Sequence, residues 1–186
     1  MARPAAYERL VAQLIATPAP RLAFHNHIVD EQAVLLKDIL EDPAVRAHYS
    51  DRCVLVSCED AASAEVVIAC VASALGLELS EDAIDTVLED LATHGRTLIV
   101  LENVDAIYSS ADAVQQEATD VLLASLAAVD ELTLVITFCG TSLPECVAWT
   151  KMDDVARNFE SQASNIRQHA TTPAVVSLMS HIEILY

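Results

Sequence analysis

Glycine and positive charge are both scarce in this chain of 186 residues, and each scarcity excludes something. Only 3 glycines occur (Gly76, Gly95 and Gly140), so no glycine-rich loop can form anywhere else. Against 28 acidic residues there are 10 lysines and arginines, a formal charge of -18 with a pI near 4.4. Such a surface repels a polyphosphate backbone instead of releasing its counterions, which argues against nucleic acid and anionic membrane as partners. The 5 cysteines (Cys53, Cys58, Cys70, Cys139 and Cys146) are odd in number and contain no C-x-x-C pair. Neither a disulfide framework nor a zinc site is indicated, and buried reduced thiols are the plainer expectation.

Long apolar runs are also missing, although 53% of the residues are hydrophobic and mean hydropathy is +0.36. The longest runs, Leu98 to Leu101 and Leu132 to Phe138, are strand-sized and far short of the roughly 20 residues that cross a bilayer. Arg3, Glu8, Arg9 and Gln13 interrupt the start, so it does not read as a signal peptide and a cytoplasmic location is expected.

What is present is alternation. Apolar runs at Arg21 to His25, Cys53 to Ser57, Thr97 to Leu101 and Leu132 to Thr137 lack polar interruption, as strands covered on both faces do. Between them lie segments of helical period. Ser63 is placed to cap a helix carrying Val66, Val67, Cys70, Val71 and Ala74, with Gly76 past its end. Ser80 is placed to cap another, carrying Ile84, Val87, Leu88 and Leu91 and stopped at Gly95. A third, Ala111 to Val129, sets Val114, Ala118, Val121, Leu122 and Leu126 on one stripe. Strands and helices in this order predict an α/β fold, three layers around a parallel sheet of four to five strands. Residues 1–151 form the expected domain, and 152–186 a divergent tail whose Pro-broken apolar end could supply an edge strand or pack on the core.

Several local patterns together resemble the nucleotide-binding domain of STAND-type P-loop NTPases, the NB-ARC and NACHT-like signalling switches, in particular the version abundant in fungi. Pro43-Ala44-Val45, Tyr49, Asp51-Arg52 and Val56-Ser57-Cys58-Glu59 resemble the segment joining the phosphate-loop helix to the second strand. Leu98 to Asn103 resembles the Walker B strand. Leu134 to Thr137, followed by Gly140, Pro144, Val147, Trp149 and Thr150, resembles the sensor strand and its loop, the most specific piece. The similarity covers about Tyr7 to Lys151. It implies that the first strand lies beside the fourth and the third between fourth and second.

The resemblance places the phosphate loop at Asn26 to Ala33. A working loop reads G-x-x-x-x-G-K-[ST]: glycines let backbone N–H groups curl around phosphate, lysine reaches the β and γ phosphates, and the hydroxyl ligates magnesium. Here the stations read Asn26, Glu31, Gln32 and Ala33, with β-branched Ile28 and Val29 between them. Asp30 and Glu31 bring carboxylates to where phosphate would lie; two unit charges about 4 Å apart interact by roughly 4 kcal/mol at an effective dielectric near 20. Glu102 and Asp105 occupy the Walker B stations, and Cys139 the station of the sensor arginine.

The expected function is therefore a nucleotide-binding-domain-like signalling or regulatory module, truncated and degenerate, that has lost NTP binding and hydrolysis. It would act through protein partners, by self-association or with related STAND proteins, without cofactor or metal. One alternative is a working switch that binds ADP or ATP with Mg2+. Another is an unrelated small α/β enzyme using Glu102 and Asp105 as acid and base. His25 and His27 near Asp30 could be drawn as a metal site, but no third ligand has suitable spacing. Cys58, Cys70 and Cys139 have no evident cationic neighbour to activate them as nucleophiles, and Trp149 reads as a packing anchor.

Overall fold

All 7 residues of Leu132–Phe138 (β4) are buried, which requires a strand covered on both faces and flanked on both edges. The computed structural model describes residues 5–25, 36–50, 52–61, 63–78, 82–110, 113–140 and 143–152. In it β4 pairs in parallel with Thr97–Glu102 (β3) on one side and Arg21–His25 (β1) on the other. Cys53–Ser57 (β2) adds beyond β3 and Thr150–Lys151 (β5) beyond β1, giving a 5-stranded parallel sheet in the order β2-β3-β4-β1-β5. The first four strands fall on the apolar runs, β3 and β4 each reaching one residue further, and their order is the one the resemblance implied.

Two strands depart from the sequence reading. β2 is a sheet edge whose Val54 and Val56 are buried while Leu55 is 38% exposed, so it is covered fully on one face only. The edge strand beyond β1 is Thr150–Lys151; the Pro-broken apolar end considered for such a role, residues 171–186, lies outside the described residues.

Alternation along the central strands divides the core in two. Leu22, Phe24, Leu98, Val100 and Val135 point to one face, where they meet Ala5–Leu14 (α1), the helical residues 36–40 (α2) and Pro43–Tyr49 (α3). Ala23, Ile99, Leu101, Leu134 and Ile136 point to the other, under Ala64–Ala74 (α4), Ala83–Thr93 (α5), Asp105–Ser110 (α6) and Ala113–Ala127 (α7). Full burial of each such side chain contributes about 1.5–3 kcal/mol. Among the described residues no helix is long and apolar enough to cross a membrane.

Helix ends are set by local chemistry. Asp42, 2% exposed, caps α3 by accepting from Ala44 N at 2.8 Å, with Pro43 at the first turn; its other oxygen accepts from the Tyr7 hydroxyl at 3.0 Å and so ties α1 to α3. Tyr49 donates to the Leu14 carbonyl and accepts from the Thr133 hydroxyl at 2.8 Å; burial pushes its pKa up to about 12. α4 starts after Ser63, as expected, although the serine makes no side-chain capping bond. It ends in a Schellman motif: Gly76 takes φ +76°, and Leu77 N and Gly76 N donate to Ala72 O and Ser73 O. Asp82 is the residue preceding α5, and Ser80 lies outside the described residues.

The long third helix is shorter than expected, with α6 a separate turn before it. The buried face of α7 is Thr119, Leu122, Leu123 and Leu126, whereas Val114 and Val121 are 71% and 56% exposed. The expected stripe was thus rotated: Leu122 and Leu126 face the core, but the valines do not. Leu123→Ala should cost about 2–5 kcal/mol by leaving a cavity, while Val121→Ala changes stability by no more than about 0.5 kcal/mol. Urea denaturation midpoints of the two variants check this, and the expected stripe would have reversed the ranking.

Candidate functional site

Open α/β sheets bind ligands outside the carboxyl ends of their strands. The register aligns His25 with Phe138 and Leu101 with Ile136, so the ends of β1, β3 and β4 come out together. His25, Glu102, Asp105 and Cys139 all arrive there. Asn26, His27, Asp30, Glu31, Gln32 and Ala33 lie outside the described residues.

Local sequence explains how the turn after β3 is held. Asn103 adopts φ +57°, a left-handed conformation that asparagine tolerates better than most residues. Its N–H donates to Thr137 Oγ1 at 2.9 Å, and Val104 N donates to the Thr137 carbonyl at 2.9 Å. Thr137, not singled out from sequence, therefore grips both amides of the turn. The only signal was a hydroxyl near the end of a mostly apolar strand. Asp105 Oδ1 then accepts from Cys139 N at 2.9 Å, pinning the exit of β4 from the β3 side. From the β1 side, His25 Nε2 lies 3.1 Å from Gly140 O, and its ring stands edge-on to Phe138 at 4.9 Å and 81°.

Glu102 is half-buried at the end of β3, and burial pushes its carboxyl above the ordinary range. Its carbonyl accepts from Cys58 N at 2.8 Å. Burial, the largest cause, pushes the Cys58 thiol up to about 12, and burial with the Asp105 charge raises that of Cys139. Both shifts oppose thiolate formation and hence nucleophilic use. The expectation of buried thiols holds only for Cys58. Cys53 is half-buried, and Cys70, Cys139 and Cys146 are exposed because they fall at helix and loop surfaces. Trp149 packs against the core on the α4–α7 face of the sheet and donates Nε1–H to Pro144 O at 3.0 Å, so it is an anchor of the loop after β4.

The sheet's arginines sit at its opposite end. Arg21 opens β1, while Arg52 and Arg96 immediately precede β2 and β3. Arg52 pairs with Asp90 and donates to Thr97 Oγ1 at 2.9 Å, and Arg96 pairs with Glu131 at 3.1 Å. Among the described residues no group of three or more His, Cys, Asp or Glu is arranged to hold a metal ion.

No protein-family model matches the sequence, and no curated protein matches it in sequence. Solved structures do match in three dimensions. Aeropyrum pernix ORC1 in complex with DNA superposes with a TM-score of 0.60 at 14% identity, over 85% of this chain and 49% of that one. A chain of Drosophila ORC bound to GC-rich DNA and Cdc6 gives 0.55 at 12% identity, over 79% and 55%. Cdc6p from Pyrobaculum aerophilum gives 0.53 at 13% identity, over 75% and 40%. The chain thus spans about half the length of the solved chains it matches. At this identity the likeness shows the fold: a P-loop NTPase-like, three-layer α/β/α arrangement around a parallel sheet.

The burial of Glu102 generates a pH-dependent prediction. Its folded pKa lies above the ordinary glutamate value of about 4.3, so ionisation on raising the pH through that window disfavours the folded state. Glu102→Gln should be more stable than wild type at pH 7. The difference should shrink towards zero below about pH 4, where the carboxyl is protonated folded or unfolded. Denaturation midpoints measured across pH 3.5 to 7.5 (about the accessible window) test it, and a destabilised Gln variant at pH 7 would contradict the assignment.

Proposed function

We propose that this chain is a nucleotide-binding-domain-like module of the STAND kind, related to NB-ARC and NACHT-like domains, that has lost NTP binding and hydrolysis and acts through protein partners. The observation that carries the reading is where charge sits on the P-loop NTPase-like fold. The ligand end of the sheet presents Glu102 and Asp105, with Cys139 at the sensor station, while Arg21, Arg52 and Arg96 are at the other end and engaged there. The loop that would cradle phosphate supplies Asn26, Glu31, Gln32 and Ala33 in place of glycine, lysine and hydroxyl. A triphosphate entering this end would meet carboxylates, with neither the phosphate-loop lysine nor the sensor arginine to offset them.

Nucleic acid is not among the proposed partners. Two of the three structures named above contain DNA, but a chain of charge -18 lacks the basic surface from which counterion release would draw affinity. Nor does an enzyme built on Glu102 and Asp105 gain support, since Asp105 already accepts a backbone hydrogen bond from Cys139.

The test is a thermal melt with ADP or ATP and Mg2+. A functional site at a hundred times its Kd would add about 2.7 kcal/mol, which for a chain of this size raises the midpoint by about 5–10 °C. The expected shift is below about 1 °C by the same conversion, with no ATP turnover above background. A saturable shift of several degrees, or turnover that Glu102→Gln abolishes, would overturn the reading.

A further inference from the structure

α4 is apolar nearly all round. Val67, Ile68 and Val71 face the core, yet Val66 on the outer side is 42% exposed, and Glu65 is the helix's only charged residue. A helix at the surface of a globular protein ordinarily turns a polar stripe to water. α7 shows the same anomaly on the facing wall, with Val114 and Val121 exposed. Between α4, the start of α5 and α7 the surface sinks into a groove of about 620 Å³, where Ile68, Ile84 and Leu122 are among the lining residues. Val114, Ala118 and Val121 run along one wall at helical spacing, about 10 Å from first to last at 1.5 Å per residue, or two turns of a docked helix. Among the described residues the charged ones lining it are Glu65 and Glu117, one on each wall, and none is basic. The Ser63 hydroxyl hydrogen-bonds the Glu65 carboxylate and lowers its pKa.

We propose that this groove is the docking site for a basic amphipathic helix of a partner protein. Apolar residues at i, i+3 or i+4, and i+7 of that helix enter between α4 and α7, and its lysines or arginines flank Glu65 and Glu117. Charge selects this occupant. A second copy would bring another chain of -18 against the same two carboxylates. The apolar end of this chain, residues 171–186, carries Glu183 and no lysine or arginine, so it too would leave both carboxylates without a counter-charge. The inference rests on the protein-interaction reading above and gives that reading a place and a chemistry.

The probe is a fluorescein-labelled helical peptide of about 15 residues with leucine at i, i+3, i+4 and i+7 and lysine elsewhere, alongside its counterpart with glutamate for lysine. Anisotropy with the full chain at about 150 mM salt should show saturable 1:1 binding of the lysine peptide and none of the glutamate peptide. Any cation is drawn to so acidic a protein, and Val121→Asp separates that attraction from docking. The substitution removes an apolar anchor and adds a negative charge, so diffuse attraction would hold or tighten, whereas docking weakens about tenfold or more. Val121 is exposed, so the variant keeps its fold, which its circular dichroism verifies. Glu65→Gln with Glu117→Gln is the second variant and should weaken the lysine peptide several-fold while lowering the melt only slightly, through the lost Ser63–Glu65 hydrogen bond. Unaltered or tighter binding by Val121→Asp overturns the proposal. So does a wild-type dimer that Val121→Asp dissociates, which would make a second copy the occupant, or tighter peptide binding by Ile182→Asp, which would make it the chain's own end. A positive nucleotide melt would overturn the functional reading and leave the peptide result standing; absent peptide binding would overturn the groove and leave the nucleotide result standing.

Discussion

Arg21 secures the pairing on which the sheet depends. β1 lies beside β4 although more than a hundred residues separate Arg21 from its partner strand, and closing so long a loop carries an entropic cost that local contacts do not offset. The half-buried guanidinium spreads its donors over the carbonyls of Ala127, Val129 and Leu132, the end of α7 and the entry to β4, and over Ala19 and Pro20 on its own side. Desolvation lowers its pKa and the Asp130 charge raises it, but arginine stays charged, so the fork works as a cation at a helix carboxyl terminus. One side chain thus caps α7 and fixes where β4 begins relative to β1. Once that register is set, His25 falls opposite Phe138 and the exit end of the sheet is assembled.

That use of arginine has a consequence for function. With Arg21, Arg52 and Arg96 engaged at the entry ends of β1, β2 and β3, cations consolidate the side of the sheet away from the ligand end. The exit end is consolidated differently, by short polar contacts within the backbone turns: Thr137 with Asn103 and Val104, Asp105 with Cys139, and His25 with Gly140. Among the described residues both ends are held by internal partners.

The sequence made the central strands legible because burial on both faces removes charged residues and leaves only threonine among the apolar ones, as at Thr97 to Leu101 and Leu132 to Phe138. It did not announce β5, because two exposed residues carry no apolar signal; only backbone pairing with Leu22 and Ala23 defines that strand. β2 was read as covered on both faces since Leu55 is as apolar as its neighbours, and exposure at a sheet edge is a tertiary fact. The α7 stripe went astray for a related reason. Val114, Ala118, Val121, Leu122 and Leu126 keep helical period, but so does the face through Thr119 and Leu123, and period alone cannot decide between adjacent faces of a largely apolar helix. Glu102, Asp105, His25 and Cys139, which the structure brings to one end of the sheet, had all been named from sequence, His25 only as half of a metal pair that was set aside, whereas Thr137 and Arg21 had been given no role. Their roles are to satisfy backbone groups brought near by folding, and such partners have no sequence spacing to betray them.

A nucleotide switch needs two states that the ligand tells apart by differential contact. On the proposed reading the exit end of this chain cannot meet that condition, because the groups that would meet a phosphate are acidic, and turn amides such as those of Asn103, Val104 and Cys139 are already bonded within the protein. On that reading the domain holds one conformation whatever the nucleotide concentration. Its capacity to respond must then lie where the structure leaves apolar surface in water. The outer faces of α4 and α7 are such a place, since Val66, Val114 and Val121 gain burial only when something else covers them. α4 packs on β2 and α7 on β4, so the sheet that gathers Glu102 and Asp105 at one end also braces a helical groove on its flank.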